Sequence, residues 1–176
     1  MGESTHLLVV CTGNVARSPM LAAMLDTLAE DLGRDWSVRS AGTLAGEGDR
    51  VSPRTLVAMA SLAEVDASFL ALHRSHRLSA SDVAWADAIL TTEADHVRHI
   101  RLAFPEATAT SVSVGQLIAE APEGESLSTQ VALVAARAPD DRHDVADPAG
   151  GDQSVYDDAA AQLWVIARQL AFGARR

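Results

Sequence analysis

The sequence predicts an α/β fold in three layers, a four-stranded parallel sheet flanked by helices, on three observations. Short apolar runs alternate with longer stretches in which apolar residues recur at helical spacing. The first run, Leu7 to Val10, ends in Cys11 and passes through Thr12-Gly13-Asn14-Val15-Ala16 into a helix pattern. Two later runs, Ala86 to Thr91 and Ala109 to Val114, read as a buried central strand and a fourth parallel strand. The loops at the strand C-termini are then the expected place for a functional site.

Composition bounds the answer. A chain of 176 residues with 48% hydrophobic content is long enough for one domain, 1–176, with a sizeable core. The net charge of -10 opposes nonspecific binding to nucleic acid or to an anionic membrane. The single cysteine allows no internal disulfide, which fits a reducing, cytoplasmic compartment. Met1 to His6 is too short and polar for a signal peptide, and no run of about 18 charge-free apolar residues follows, so no stable membrane insertion is expected.

The elements follow in order. The helix predicted over Ala16 to Leu32 carries Met20, Leu21, Met24, Leu25 and Leu28 as its buried stripe, leaves Asp26 and Glu30 off it, and stops at Gly33. A strand over Trp36 to Ser40 comes next, then a polar loop from Thr43 to Val51. Ser52-Pro53 reads as the N-cap and first residue of a helix to about Ala63. A short helix over Ser81 to Ala84 has Ser79 or Ser81 as cap, and Glu93 to Leu102 is helical up to Pro105. Beyond the fourth strand, Gly115 through Pro122 reads as a return to the surface, and Ser126 to Arg137 as a helix with Leu127, Val131, Val134 and Ala135 on one side. The segment 115–140 is a helical elaboration that either covers a sheet edge or carries a partner site. A final helix begins near Tyr156 with Val155, Leu163, Ile166, Ala167 and Leu170 on its apolar side, and Gly173 to Arg176 reads as a frayed tail.

The chemistry concentrates at the first turn. A loop between strand and helix directs backbone N–H groups inward and adds the orphan N–H groups of the helix start, which suits an oxyanion of phosphate size. Arg17 can close such a cup with its bidentate fork. Cys11 at its floor would sit among groups that stabilise negative charge on sulfur, which suits a nucleophile. The loop donors and Arg17 would hold the equatorial oxygens of a transferring phosphoryl group. Ser18 can donate to the sulfur. A lone cysteine can also be a structural core residue.

Cys11-Thr12-Gly13-Asn14-Val15-Ala16-Arg17-Ser18-Pro19-Met20 resembles the signature loop of the low-molecular-weight protein tyrosine phosphatases. That resemblance implies hydrolysis of phosphotyrosine through a cysteinyl-phosphate, without cofactor or metal. The substrate would be a phosphorylated protein or a small aryl phosphate. Thr12, Gly13, Asn14, Val15, Ala16, Arg17 and Ser18 would bind it. It implies that Ser40, in Ser40-Ala41-Gly42-Thr43, braces Asn14, and that His73 joins them in ordering the phosphate loop. Asp147-Pro148 matches the family's acid loop, so Asp147 would be general acid and base, on a loop after strand four, with Asp144 as second candidate.

The chain departs from the family at several positions. Ala16 replaces a second cysteine, His76 stands at an arginine position, and Thr92 and His96 replace a methionine and an asparagine after the third strand. Glu93 there keeps only the charge, and Ala149 replaces an aromatic residue that packs on the substrate ring. His73, His76, His96 and His99 have no cysteine partner and form no zinc set. The alternatives are a protein-arginine phosphatase with the same mechanism, a noncatalytic phosphate-binding module, and an arsenate reductase using an external thiol.

Overall fold

The computed structural model describes residues 4–173 of the chain. The sheet holds β1 (Thr5–Cys11), β2 (Trp36–Gly42), β3 (Ala88–Thr91) and β4 (Ser111–Ser113), all parallel, in the order β2-β1-β3-β4. The central position of β1 explains its composition. Leu7, Leu8, Val9 and Val10 are all fully buried because both faces of the strand are covered.

Alternation along the strands divides the core. Leu7, Val9, Leu90 and Val112 face a large cluster. This cluster is built from α1 (Arg17–Leu32), α2 (Pro53–Ala60), α5 (Val114–Glu120), α6 (Leu127–Ala135) and α7 (Gln153–Gly173). Leu8, Val10 and Ile89 face a smaller one, made with Val83 of α3 (Ala80–Trp85) and Ile100 of α4 (Ala94–Ala103). The three layers are therefore two helical layers and the sheet between them.

Helix boundaries follow the local chemistry. Ser52 and Ser126 cap α2 and α6 through their side chains, and Ser79 forms a reciprocal capping box with Asp82 on α3. Helix α2 ends at Ala60, three residues before the sequence expectation, and α7 begins at Gln153, ahead of Tyr156.

Two parts of the sequence reading need correction. The fourth strand stops at Ser113, because the Ser113 hydroxyl accepts the Gln116 N–H at 3.4 Å and starts α5 with no intervening loop. The segment expected as a surface return is thus a helix. Gly115 is required there, since a Cβ would lie 1.8 Å from the carbonyl oxygen of His143. Val155 is 39% exposed rather than part of the apolar face, because it lies against Gly151 while its neighbour Tyr156 turns into the core. The expected tail lies outside the described residues beyond Gly173, and Met1 to Glu3 are likewise outside them.

Candidate active site

Residues 12–16 turn between the end of β1 and the start of α1. Ala16 is the N-cap of α1 and offers no capping side chain, so the first N–H groups of this long helix are left for another acceptor. Gly42, at the end of β2, allows the loop to pack close: a Cβ there would meet the Thr12 carbonyl at 2.6 Å.

Asn14 holds this turn together. It is fully buried and adopts a left-handed backbone, φ 53°, which asparagine tolerates better than most residues. Its side-chain amide donates to Ser18 Oγ and to Ser40 Oγ, both at 2.9 Å. Its Oδ1 accepts the His76 N–H at 2.9 Å, and its carbonyl accepts from His73 Nε2 at 2.9 Å. The His73 proton is therefore on Nε2. Burial lowers the basicity of that ring.

Cys11 lies at the floor, 3% exposed. Its Sγ is 2.9 Å from Ser18 Oγ and receives the Asn14 N–H at 3.3 Å. The Asn14 N–H donates to the sulfur, and the Ser18 hydroxyl, which also has the Ala41 carbonyl at 3.3 Å, can donate to it and stabilise a sulfur anion.

Arg17 is 1% exposed, with its guanidinium spread over several acceptors. Nη1 donates to Glu93 Oε1 and, at 2.8 Å, to the Val145 carbonyl. Nη2 is 2.8 Å from Asp147 Oδ2 and 3.4 Å from Thr12 Oγ1. Paired carboxylates make so buried a cation tolerable.

Asp147 follows β4 and the helical elaboration, the order expected from sequence, with α5 and a 3-10 turn added to it. Helix α5, the expected α6 and a 3-10 turn (Asp141–His143) lie between β4 and Asp147. The loop is pinned beside β3: Val145 N–H bonds the Thr92 carbonyl at 2.9 Å. Asp144, the second acid candidate, accepts the Ala94 N–H at 2.8 Å and so caps α4; burial raises its pKa.

These groups surround a cavity of about 180 Å³. Cys11, Thr12, Gly13, Val15, Ala16 and Arg17 line one side, and Asp147, Ala149 and Tyr156 the other. Gly13 and Val15 thus enter as lining. Ser18, Ser40 and His73 act on the cavity through Asn14 and Cys11.

Glu93 and His96 escaped sequence reasoning as site residues. Glu93 supplies one of the two carboxylates on Arg17. His96 Nε2 is 2.9 Å from Thr12 Oγ1, and burial pushes its pKa down to about 4. Their departure from the family pattern after the third strand was the available signal. Away from the cavity, Glu120, Asp140 and His143 bring ligand atoms within 4.8 Å of one another, but Arg137 and Arg142 engage the two carboxylates.

Comparison with known proteins agrees with this geometry. The family description "Low molecular weight phosphotyrosine protein phosphatase" matches residues 6–175. A protein-arginine-phosphatase of Geobacillus stearothermophilus is 30% identical over 94% of this chain and 93% of its own length. A probable low molecular weight protein-tyrosine-phosphatase of Ralstonia solanacearum is 34% identical over 63% of this chain and 71% of its own. Among solved structures, a low molecular weight protein tyrosine phosphatase from T. tengcongensis superposes with a TM-score of 0.77 at 26% identity, covering 95% of this chain and 97% of that one.

Proposed function

The chain belongs to the low molecular weight phosphotyrosine protein phosphatase family, and from that premise we propose that it is a protein-arginine phosphatase working through a cysteinyl-phosphate. The convergence of Cys11, Arg17 and Asp147 on one cavity is the observation that carries the mechanism.

Cys11 Sγ attacks the phosphorus as Arg17 and the loop N–H groups take up the equatorial oxygens. The P–N bond to the substrate guanidine breaks, and Asp147 in its acid form gives a proton to the departing nitrogen. Water then attacks the cysteinyl-phosphate, and the Asp147 carboxylate takes its proton. The P–S bond breaks, inorganic phosphate leaves, and the Ser18 hydroxyl and the Asn14 N–H receive the thiolate.

Two facts support phosphoarginine over phosphotyrosine. The relative named for arginine matches essentially the whole chain, whereas the curated tyrosine-directed relative above matches a part of it. Ala149 gives a leaving aromatic ring nothing to stack on. The phosphotyrosine reading, the expectation from sequence, stands second. Val15 and Tyr156, both lining the cavity, favour it as apolar surface for an aryl group.

The test is kcat/KM on phosphoarginyl, phosphotyrosyl and phosphoseryl peptides of matched sequence, with Cys11→Ser as blank. A phosphoarginyl preference is expected. A phosphotyrosyl preference would reverse the substrate and keep the mechanism, and turnover that survives Cys11→Ser would remove both.

A further inference from the structure

Thr12 follows the nucleophile directly, and the chemistry above leaves its hydroxyl unused. Oγ1 has one proton and two lone pairs. Arg17 Nη2, at 3.4 Å, can only donate and takes one lone pair. His96 Nε2, at 2.9 Å, is the other neighbour.

The environment of His96 fixes its tautomer. Burial keeps the ring neutral down to about pH 4, so it carries one N–H. Nε2 faces Thr12 Oγ1 and, at 3.6 Å, Glu93 Oε2, both able to accept. Nδ1 faces Thr92 Oγ1 at 3.4 Å, a hydroxyl that can donate to it. A proton on Nδ1 would turn the Nε2 lone pair toward a carboxylate. With the proton on Nε2, His96 donates to Thr12 and fills its second lone pair. The Thr12 proton then has one direction left, into the cavity that Thr12 lines beside Arg17.

We infer that Thr12 donates its hydroxyl proton to a phosphoryl oxygen of the substrate, and that His96 is the positioning residue that holds it as a donor. The inference rests on the phosphatase reading and extends it. The cup would then contain a side-chain donor next to Arg17 in addition to its backbone N–H groups. Once Arg17 turns from Asp147 to the phosphoryl group, the oxygen bound at Nη2 lies beside Thr12 Oγ1.

The experiment pairs Thr12→Val, which keeps the shape and removes the donor, with Thr12→Ser, which keeps the donor. Thr12→Val should lower kcat about tenfold and weaken orthovanadate inhibition by a similar factor, the scale of one lost hydrogen bond. Thr12→Ser should recover most of both. His96→Leu should cost about as much as Thr12→Val, and less than about twofold more when added to it. His96→Gln, whose amide nitrogen can reach the place of Nε2, should restore activity.

A readout independent of turnover is calorimetric binding of inorganic phosphate to Cys11→Ser, with and without Thr12→Val, where the second change should weaken affinity. Unchanged kcat and unchanged orthovanadate inhibition in Thr12→Val, or losses at His96 and Thr12 that add in full, would overturn the inference. An intact Thr12→Val beside a dead Cys11→Ser would defeat this inference alone, whereas an active Cys11→Ser would defeat the phosphatase reading beneath it.

Discussion

Arg17 Nη2 stands 2.8 Å from Asp147 Oδ2, so the proposed phosphate clamp and the proposed acid are ion-paired to each other in the ligand-free protein. An incoming phosphoryl group competes with Asp147 for that nitrogen. Asp147→Asn should therefore bind inorganic phosphate several-fold more tightly, because a neutral amide competes less well for the guanidinium. It should also slow turnover of a peptide substrate about 100-fold, the usual scale for a lost general acid. A nitrophenyl phosphate, whose leaving group needs little protonation, should slow less. Inhibition constants and kcat measured together check this; weaker phosphate binding, or equal slowing of both substrates, would remove Asp147 from the role.

Cys11→Ser should keep the fold and phosphate binding while turnover falls at least about 1,000-fold, since no base adjoins the new hydroxyl. Arg17→Lys should fall about 100-fold or more, because a point charge cannot replace the planar fork. It also strands Glu93, Asp147 and the Val145 carbonyl with fewer donors. Single-turnover assays with a melting control separate chemistry from folding. A Lys variant with wild-type rate and phosphate affinity would end the clamp assignment.

Asn14→Ala should destabilise by about 2–4 kcal/mol, a cost that combines lost buried hydrogen bonds with a left-handed backbone no longer favoured. Asn14→Gly should lose less, because glycine accepts the φ of 53°. Chemical denaturation compares the two. Equal losses would show that the backbone conformation contributes nothing measurable.

Much of this architecture was legible, and the exceptions share a cause. The strand at Leu7 to Val10 and the caps at Ser52 and Ser79 are readable because each depends on neighbours in sequence. Helix α5 was not, since Gly115 argues locally against a helix. What secures it is distant: Gln116 Nε2 donates to the Ala138 carbonyl at 3.0 Å, and Gln116 Oε1 accepts the Asp140 N–H at 3.1 Å. The same holds at the cavity. Cys11, Arg17 and Ser18 lie within one motif, but the pairing of Arg17 with Glu93 and of Thr12 with His96 joins separate loops. No periodicity encodes such contacts. Asp147 was singled out by its proline, whereas the bond that pins its loop beside β3, from Val145 N–H to the Thr92 carbonyl, joins distant residues.

Acid should reveal His96. Its pKa is lowered to about 4 by burial, so between about pH 6.5 and 4 the unfolded chain takes up a proton there that the folded chain refuses. Its contribution is fully present above that window and lost as pH falls through it. His73, lowered by burial, adds the same sign; His76, raised chiefly by Asp82, contributes stability at low pH that is lost as pH rises through its folded value. Unfolding free energy should therefore fall more gently with acid in His96→Gln than in the wild type, by up to about 1.4 kcal/mol per pH unit. Parallel curves for the two proteins would mean that His96 is not held neutral.

Gly115 leaves room for only a hydrogen where α5 meets the His143 carbonyl. After that carbonyl, Asp144 is fastened to Ala94, and Val145 to Thr92 and to Arg17, before the chain reaches Asp147. The α5 helix is therefore the back-stop of a strap that ends at Asp147, the proposed acid, held by Arg17. A methyl group at position 115 would push the strap forward at its root, and the displacement would be felt at the buckle. With Asp147 as the proposed acid, a side chain at position 115 would in this way be felt in a cavity that α5 does not line.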